Sequence, residues 1–223
     1  MSLAANKFER KYTGFTVFGN EIESKDISDW NIDQEFEAQM AVALSKLGYQ
    51  PVLMSYDRKD FLHVYDLHGP WDAPAYRTPN WDAIQGSLTS LAEKNSLDAV
   101  IVVASADSPD FLADTNQFLR GAGFYSRGIG GRTKVSVLHF FASVAIVDGH
   151  TGKVLATRWL STMQEGNWGE IARASPMADV SPDLSRAKLS AIDAKTWSDI
   201  RLELVGLPKD AWEPTFKALM PTH

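Results

Sequence analysis

The chain has 223 residues, 44% hydrophobic and 22% charged, with a formal net charge of −6, the composition of one sizeable folded domain. The acidic balance argues against broad capture of nucleic acid or anionic lipid, which needs a surplus of Lys and Arg, and no apolar run approaches the ~20 residues of a membrane span. No cysteine is present, which excludes disulfides, thiolate nucleophiles, zinc-thiolate sites and iron–sulfur clusters.

In chain order, "TGFTVFG" at 13–19 alternates as a first strand, and the acidic "NEIESKDISDW" after it reads as a loop. Asn31 and Gln34 have the spacing of a capping box. Behind them Phe36, Met40, Ala43, Leu44 and Leu47 fall at helical spacing, and Gly48 stops the helix. "YQPVLMSY" at 49–56 reads as a second strand. Residues 57–79 form an irregular insert, with a short strand at 61–65 and aromatic residues among prolines.

A second helix is expected from about Pro79, with Ile84, Leu88 and Leu91 on one face. "LDAVIVVASAD" is β-branched and nearly unbroken, the pattern of a strand buried on both faces in mid-sheet. Ser108 and Pro109 suggest a short helix, and the glycine-rich 121–131 a turned connection. "KVSVLHFFASVAIVD" reads as one long central strand, and "KVLATRWLSTM" as its hairpin partner. Ser181-Pro182-Asp183 opens a long helix, so 181–223 is expected to be a C-terminal helical segment. The order implies a single α/β domain: a mixed sheet with parallel βαβ pieces and a long antiparallel hairpin, helices packed on it.

Chemistry is sparse. The glycines at 121–131 precede a strand rather than open a helix, and no Walker lysine follows, so neither a dinucleotide nor a P-loop motif is present. Ser126 in "GFYSRG" lacks the spacing of a nucleophile elbow. The five histidines, His63, His68, His139, His150 and His223, show no zinc-binding spacing, and no metal site or cofactor is assigned. Asp110 reads as a helix cap. Asp148 and His150, between glycines at a hairpin tip, read as turn residues. The exposed-aromatic and basic candidates for a ligand or partner are Trp71, Tyr125, Arg127 and Arg132. An alternative is a hydrolase or other small-molecule enzyme at Asp107, Arg127 and His139.

"TGFTVFGN" leading into a helix ending "ALSKLGYQPV", then "LDAVIVV" and "VAIVDGHTGKVLATRW", resemble the bacterial envelope family of the curli-secretion lipoprotein, the TolB N-terminal domain and the lipoprotein activators of penicillin-binding proteins. The match in the hairpin is Val147-Asp148, Thr151-Gly152 and Val154-Leu155, and the motifs cover about half of the chain, discontinuously. The chain departs from the family in having no glycine soon after "LDAVIVV", and its 57–79 insert has no counterpart there. The resemblance implies a non-enzymatic α/β domain in the periplasm or at the periplasmic face of the outer membrane, often lipid-anchored through a removed N-terminal cysteine, that binds an envelope protein or wall-related ligand. A cytoplasmic module is the alternative.

Overall fold

The computed structural model describes residues 1–4, 6–15, 19–65, 79–115, 117–129, 132–163 and 165–220. The fold is α/β, with one parallel strand pair among antiparallel ones. The first strand, β1 (Lys7–Thr13), ends where the sequence pattern places its beginning. Its odd positions Glu9 and Lys11 are charged yet face a covered layer, which hides the alternation. Residues 16–18 lie outside the described residues. The expected acidic loop contains β2 (Glu21–Asp26), an exposed edge strand with no apolar face for the pattern to show.

Helix α1 (Ile32–Lys46) buries Ile32, Phe36, Met40, Ala43 and Leu44, the stripe that the spacing predicts. The predicted capping box at its start does not form: Asn31 adopts φ 53° and makes no side-chain cap bond, while Asp33 and Glu35 in the first turn suit the helix dipole. Residues 49–56 are not a strand, and the short strand expected at 61–65 is part of a 3-10 helix, Arg58–Tyr65, with Phe61 and Val64 buried three apart. Helix α2 (Gln85–Asn95) follows, with Ile84 just before it and Leu88 and Leu91 buried as expected.

Strand β3 (Ala99–Ser105) is covered on both faces but is an edge, in a sheet ordered β3-β8-β9. The short helix expected after it is instead a hairpin of β4 (Asp107–Pro109) and β5 (Phe118–Arg120). The glycine-rich connection is itself a strand, β6 (Ala122–Ile129), paired with β7 (Arg132–Phe140). The long central strand is divided at Phe141 into β7 and β8 (Ala142–Asp148), which belong to different sheets.

The division has a local cause. Phe141 N–H donates to Gly121 O (2.9 Å), Gly121 N–H to Ala106 O (3.3 Å) and Ala106 N–H to Phe141 O (3.1 Å), a closed ring of backbone bonds. Three ribbons, β3/β8, β4/β5 and β6/β7, diverge from it. Gly121 has φ +47°, and a Cβ there would lie 2.7 Å from Ser105 Oγ, so glycine is required at this vertex.

The hairpin from β8 to β9 (Val154–Trp159) forms as the sequence indicates. Asp148 Oδ1 accepts from the N–H groups of His150 (3.1 Å) and Thr151 (2.7 Å) and from the Thr151 hydroxyl (2.7 Å). These bonds, that of the Thr151 side chain first, hold its carboxyl below the usual range, and Gly152 supplies φ +66°. Asp148 and His150 are therefore the turn.

Helix α3 (Trp168–Arg173) and strand β10 (Met177–Asp179) carry no strong apolar period and were not expected; α3 has the capping box of the chain's described helices that does form, Asn167 with Glu170. The long helix expected from Ser181 is interrupted. Helix α4 (Pro182–Arg186), capped by Ser181, is followed by a 3-10 turn and then by α5 (Ala194–Gly206), capped by Asp193, and α6 (Trp212–Leu219).

The second sheet is ordered β10-β7-β6-β1-β2, with β1 and β6 parallel. One of its faces carries Phe8, Phe124, Leu138 and Phe140 against α1, α5 and α6. Phe36 packs on Phe140 (4.7 Å between rings) and on Trp212 (5.8 Å). Each such buried aromatic contributes about 2–3 kcal/mol through removal from water.

Candidate functional site

The opposite face of that sheet lies beneath the β4–β5 hairpin, and most of the sequence-derived candidates gather there. Pairing puts Glu9, Gly123 and His139 in one row, Lys11, Tyr125 and Val137 in the next, and Thr13, Arg127 and Val135 in a third. Tyr125 is fully buried, not a stacking surface, because its segment is a strand rather than a loop. Its hydroxyl donates to Asp110, which also accepts from the Thr115 hydroxyl and from the N–H groups of Leu112 (3.1 Å) and Ala113 (3.0 Å). Burial, reinforced by Asp110, raises the Tyr125 pKa well above its ordinary value. Asp110 thus caps a tight turn, not a helix.

The enzyme candidates are engaged separately. Asp107 accepts a two-pronged bond from Arg120 (2.6 and 2.8 Å), Arg127 donates to Ala113 O, and His139 Nδ1 lies 3.0 Å from Gly121 O. Arg127 sits four residues along β6 from Gly123, the register partner of His139, a separation of about 13 Å at ~3.3 Å per residue. Burial pushes the His139 pKa down to about 3, with the Lys11 charge adding to the effect, so the ring is neutral and its Nδ1–H serves the ring of bonds at Gly121. Its plane stacks on Phe141 (4.7 Å). Ser126 faces the other way, buried beneath α4. Arg132 begins β7 in an exposed position. Trp71 and His68 lie outside the described residues, and no group of three or more metal-ligating residues occurs among the described ones.

An open site lies elsewhere among the described residues. A groove of about 990 Å³ runs over the α1-side face of the β3-β8-β9 sheet. Its floor is one register row, Ile101, Ile146 and Ala156. Met40, Ala41 and Leu44 of α1 form one wall, residues 48–54 a second, and Leu219 and Met220 close the far end. Exposed apolar side chains stand on the rim: Val52 is 57% exposed, Leu53 63% and Leu155 62%, large side chains that water disfavours leaving uncovered together. This is why "PVLM" has the composition of a strand without being one.

At the near end the groove abuts Met1, Glu37 and Tyr56. There the extended residues 1–4 lie parallel to β3. Glu37 Oε1 accepts from Ser2 N–H (2.8 Å), and Asp33 Oδ1 from Ala4 N–H (3.0 Å) and the Ser2 hydroxyl (2.5 Å). Leu3 O accepts from Arg58 and from the Tyr65 hydroxyl, and Ala4 O from the Ser105 hydroxyl. Tyr56 Oη is within reach of both Glu37 and Ser2 O (2.8 Å), and its single proton serves one at a time. Burial, then the Glu37 bond, raises its pKa strongly. Side chains from α1, the 3-10 helix and β3, with Tyr56, thus hold the backbone of an extended segment, and the Ser2 hydroxyl and the buried Leu3 side chain add contacts of their own.

Comparison with known protein families, curated proteins and solved structures gives no match for this chain.

Proposed function

We propose that this chain is a non-enzymatic binding domain of the cell envelope, in the periplasm or at the periplasmic face of the outer membrane, that takes a protein or an envelope ligand in the groove beside α1. The observation that carries the binding reading is the groove itself, a concavity of about 990 Å³ rimmed by exposed Val52, Leu53 and Leu155. The compartment rests on the resemblance of the strand, helix and hairpin motifs. The polar residues of the opposite face favour binding over catalysis by their engagement, since Asp107, Arg127 and His139 each hold a different part of the fold.

The test is site-specific photocrosslinking in cells that express the gene with its natural flanking sequence. A photoreactive residue at Leu53 or Leu155 is expected to give a discrete adduct in the envelope fraction, and one at Leu202 of α5, equally exposed at 63%, to give none. Equal labelling at all three positions, with the chain in the cytosolic fraction, would refute the reading.

A further inference from the structure

From Thr115 to Val147 the chain has no Asp or Glu and four cations, Arg120, Arg127, Arg132 and Lys134, in a protein of net charge −6. The pairing of β6 with β7 brings two of them together. Thr13, Arg127 and Val135 form one row, and a bulge follows: Lys134 is an extra residue on β7, so that Gly128 pairs with Thr133 and Ile129 with Arg132. Paired residues share a face, and Ile129 alternates back to the face of Arg127. The bulge thus turns Arg132 onto the Arg127 side, whereas an unbroken register would put it on the opposite one. The two Cα atoms are about 8 Å apart, from ~3.3 Å per residue along a strand and ~4.8 Å between strands.

Arg120 and Arg127 use their guanidiniums differently. Arg120 grips the Asp107 carboxylate through Nε (2.6 Å) and Nη2 (2.8 Å), the side-on fork that matches two oxygens of an oxyanion. Arg127 donates from Nη1 to Ala113 O, and the same fork, Nε and Nη2, has no acceptor among the described residues, although Nε is buried. Next to it across the parallel β1–β6 pair, the buried Thr13 hydroxyl lies near that of Tyr125 without a hydrogen bond to it, since the Tyr125 proton goes to Asp110. The exposed Arg132 guanidinium makes no ion pair or hydrogen bond among the described residues. No nearby carboxylate answers these donors. Asp110 is closed off by its own four, and Asp114, beside Ala113, pairs with neither arginine.

We propose that Thr13, Arg127 and Arg132 form a binding site for a phosphoryl group, free or esterified, at the hairpin end of β6 and β7. Two guanidinium charges match a dianion. The Arg127 fork, the Arg132 fork and the Thr13 hydroxyl together suit the several oxygens of a tetrahedral phosphate better than the two of a carboxylate. The Nη1 bond to Ala113 O fixes the orientation of the Arg127 fork, which lowers the ordering cost of capture. The site lies on the β4–β5 side of the sheet and is independent of the groove beside α1.

The test is isothermal titration of the full chain with inorganic phosphate at constant ionic strength, which is expected to show one saturable site. Arg132→Gln, at an exposed position, and Thr13→Val, which keeps the side-chain shape, should each weaken it about tenfold or more. Lys195→Gln removes an exposed cation of α5 and should leave it unchanged. If Thr13→Val does not fold, the surface variant Arg132→Gln decides the matter. Glycerol 3-phosphate distinguishes the sources: tighter binding than the free ion assigns the site to a phosphate ester, equal or weaker binding to inorganic phosphate, and either supports the proposal. Three results would overturn it: heat without saturation, equal binding of chloride or acetate, or a phosphate affinity that Arg132→Gln or a folded Thr13→Val leaves unchanged.

Discussion

The two faces of this molecule differ in what they do with polarity. Beneath the β4–β5 hairpin, Asp110, Tyr125, Arg120, Asp107 and His139 form a layer rich in groups that catalysts use, yet each is already engaged, Arg120 with Asp107, Tyr125 with Asp110 and His139 with Gly121 O. Beside α1 the lining is Met, Leu, Ile and Val with a few polar residues, Tyr49, Gln50 and Asp98 among them, and the surface is open. A titratable side chain that is buried and fully bonded is a structural member, whereas an apolar side chain held out in water marks a surface that lacks its complement. The comparison makes a sharp division: substitutions in the closed layer should cost stability, and substitutions in the groove should cost binding.

The largest effect is expected at Asp110. Asp110→Ala strands the buried Tyr125 hydroxyl together with the Thr115 hydroxyl and two N–H groups of a half-buried turn, and should lower unfolding free energy by about 2 kcal/mol, measured by urea denaturation. A loss below about 1 kcal/mol would mean that the layer is hydrated and open, and would erase the contrast. Next is His139. Its pKa is about 6.5 in the unfolded chain and about 3 when folded, so between these values the unfolded state binds more protons. The stability associated with the neutral ring is complete above pH 6.5 and is lost as pH falls toward 3. From pH 7 to pH 5 this one group removes about 2 kcal/mol. In His139→Gln, which keeps a donor for Gly121 O, that part of the pH slope should vanish. An unchanged slope would show that the ring is charged or exposed.

These two sites also show why the sequence is legible in some places and not in others. Helices α1 and α2 and the β8–β9 hairpin are readable because one side of each is buried, or because turn residues such as Asp148 and Gly152 have a single conformational use. The β4–β5 hairpin is unreadable because Ser108, Pro109 and Asp110 have the chemistry of a helix start, and only the pairing of Asp107–Pro109 with Phe118–Arg120, a nonlocal fact, decides against it. Charged β1 looks like surface because its partners Phe118 O and the hairpin lie about a hundred residues away. The groove left one local trace, the unalternating "PVLM", which satisfies the composition of a strand but not its period.

Gly121→Ala tests the vertex where the two faces meet. Its φ of +47° and the 2.7 Å approach to Ser105 Oγ predict a loss of roughly 1–2 kcal/mol. Because Ser105 also holds Ala4 O, the substitution should loosen residues 1–4 as well, visible as faster amide exchange at Leu3 and Ala4. Exchange unchanged there would show that the vertex and the cradle are mechanically independent.

The smallest effect on stability, and the most decisive for the comparison, belongs to Leu53→Asp. Leu53 is 63% exposed, so little apolar area is lost from the folded state, and the unfolding free energy should stay within about 0.5 kcal/mol of the parent. Ligand affinity should nevertheless collapse, because a carboxylate on the rim must be desolvated whenever an apolar occupant closes over it. A variant that is as stable as the parent and as well able to bind would move the functional surface away from α1. A variant that is clearly less stable would show that Leu53 is already covered by the fold, and that the groove is a flaw in packing rather than a place left for a partner.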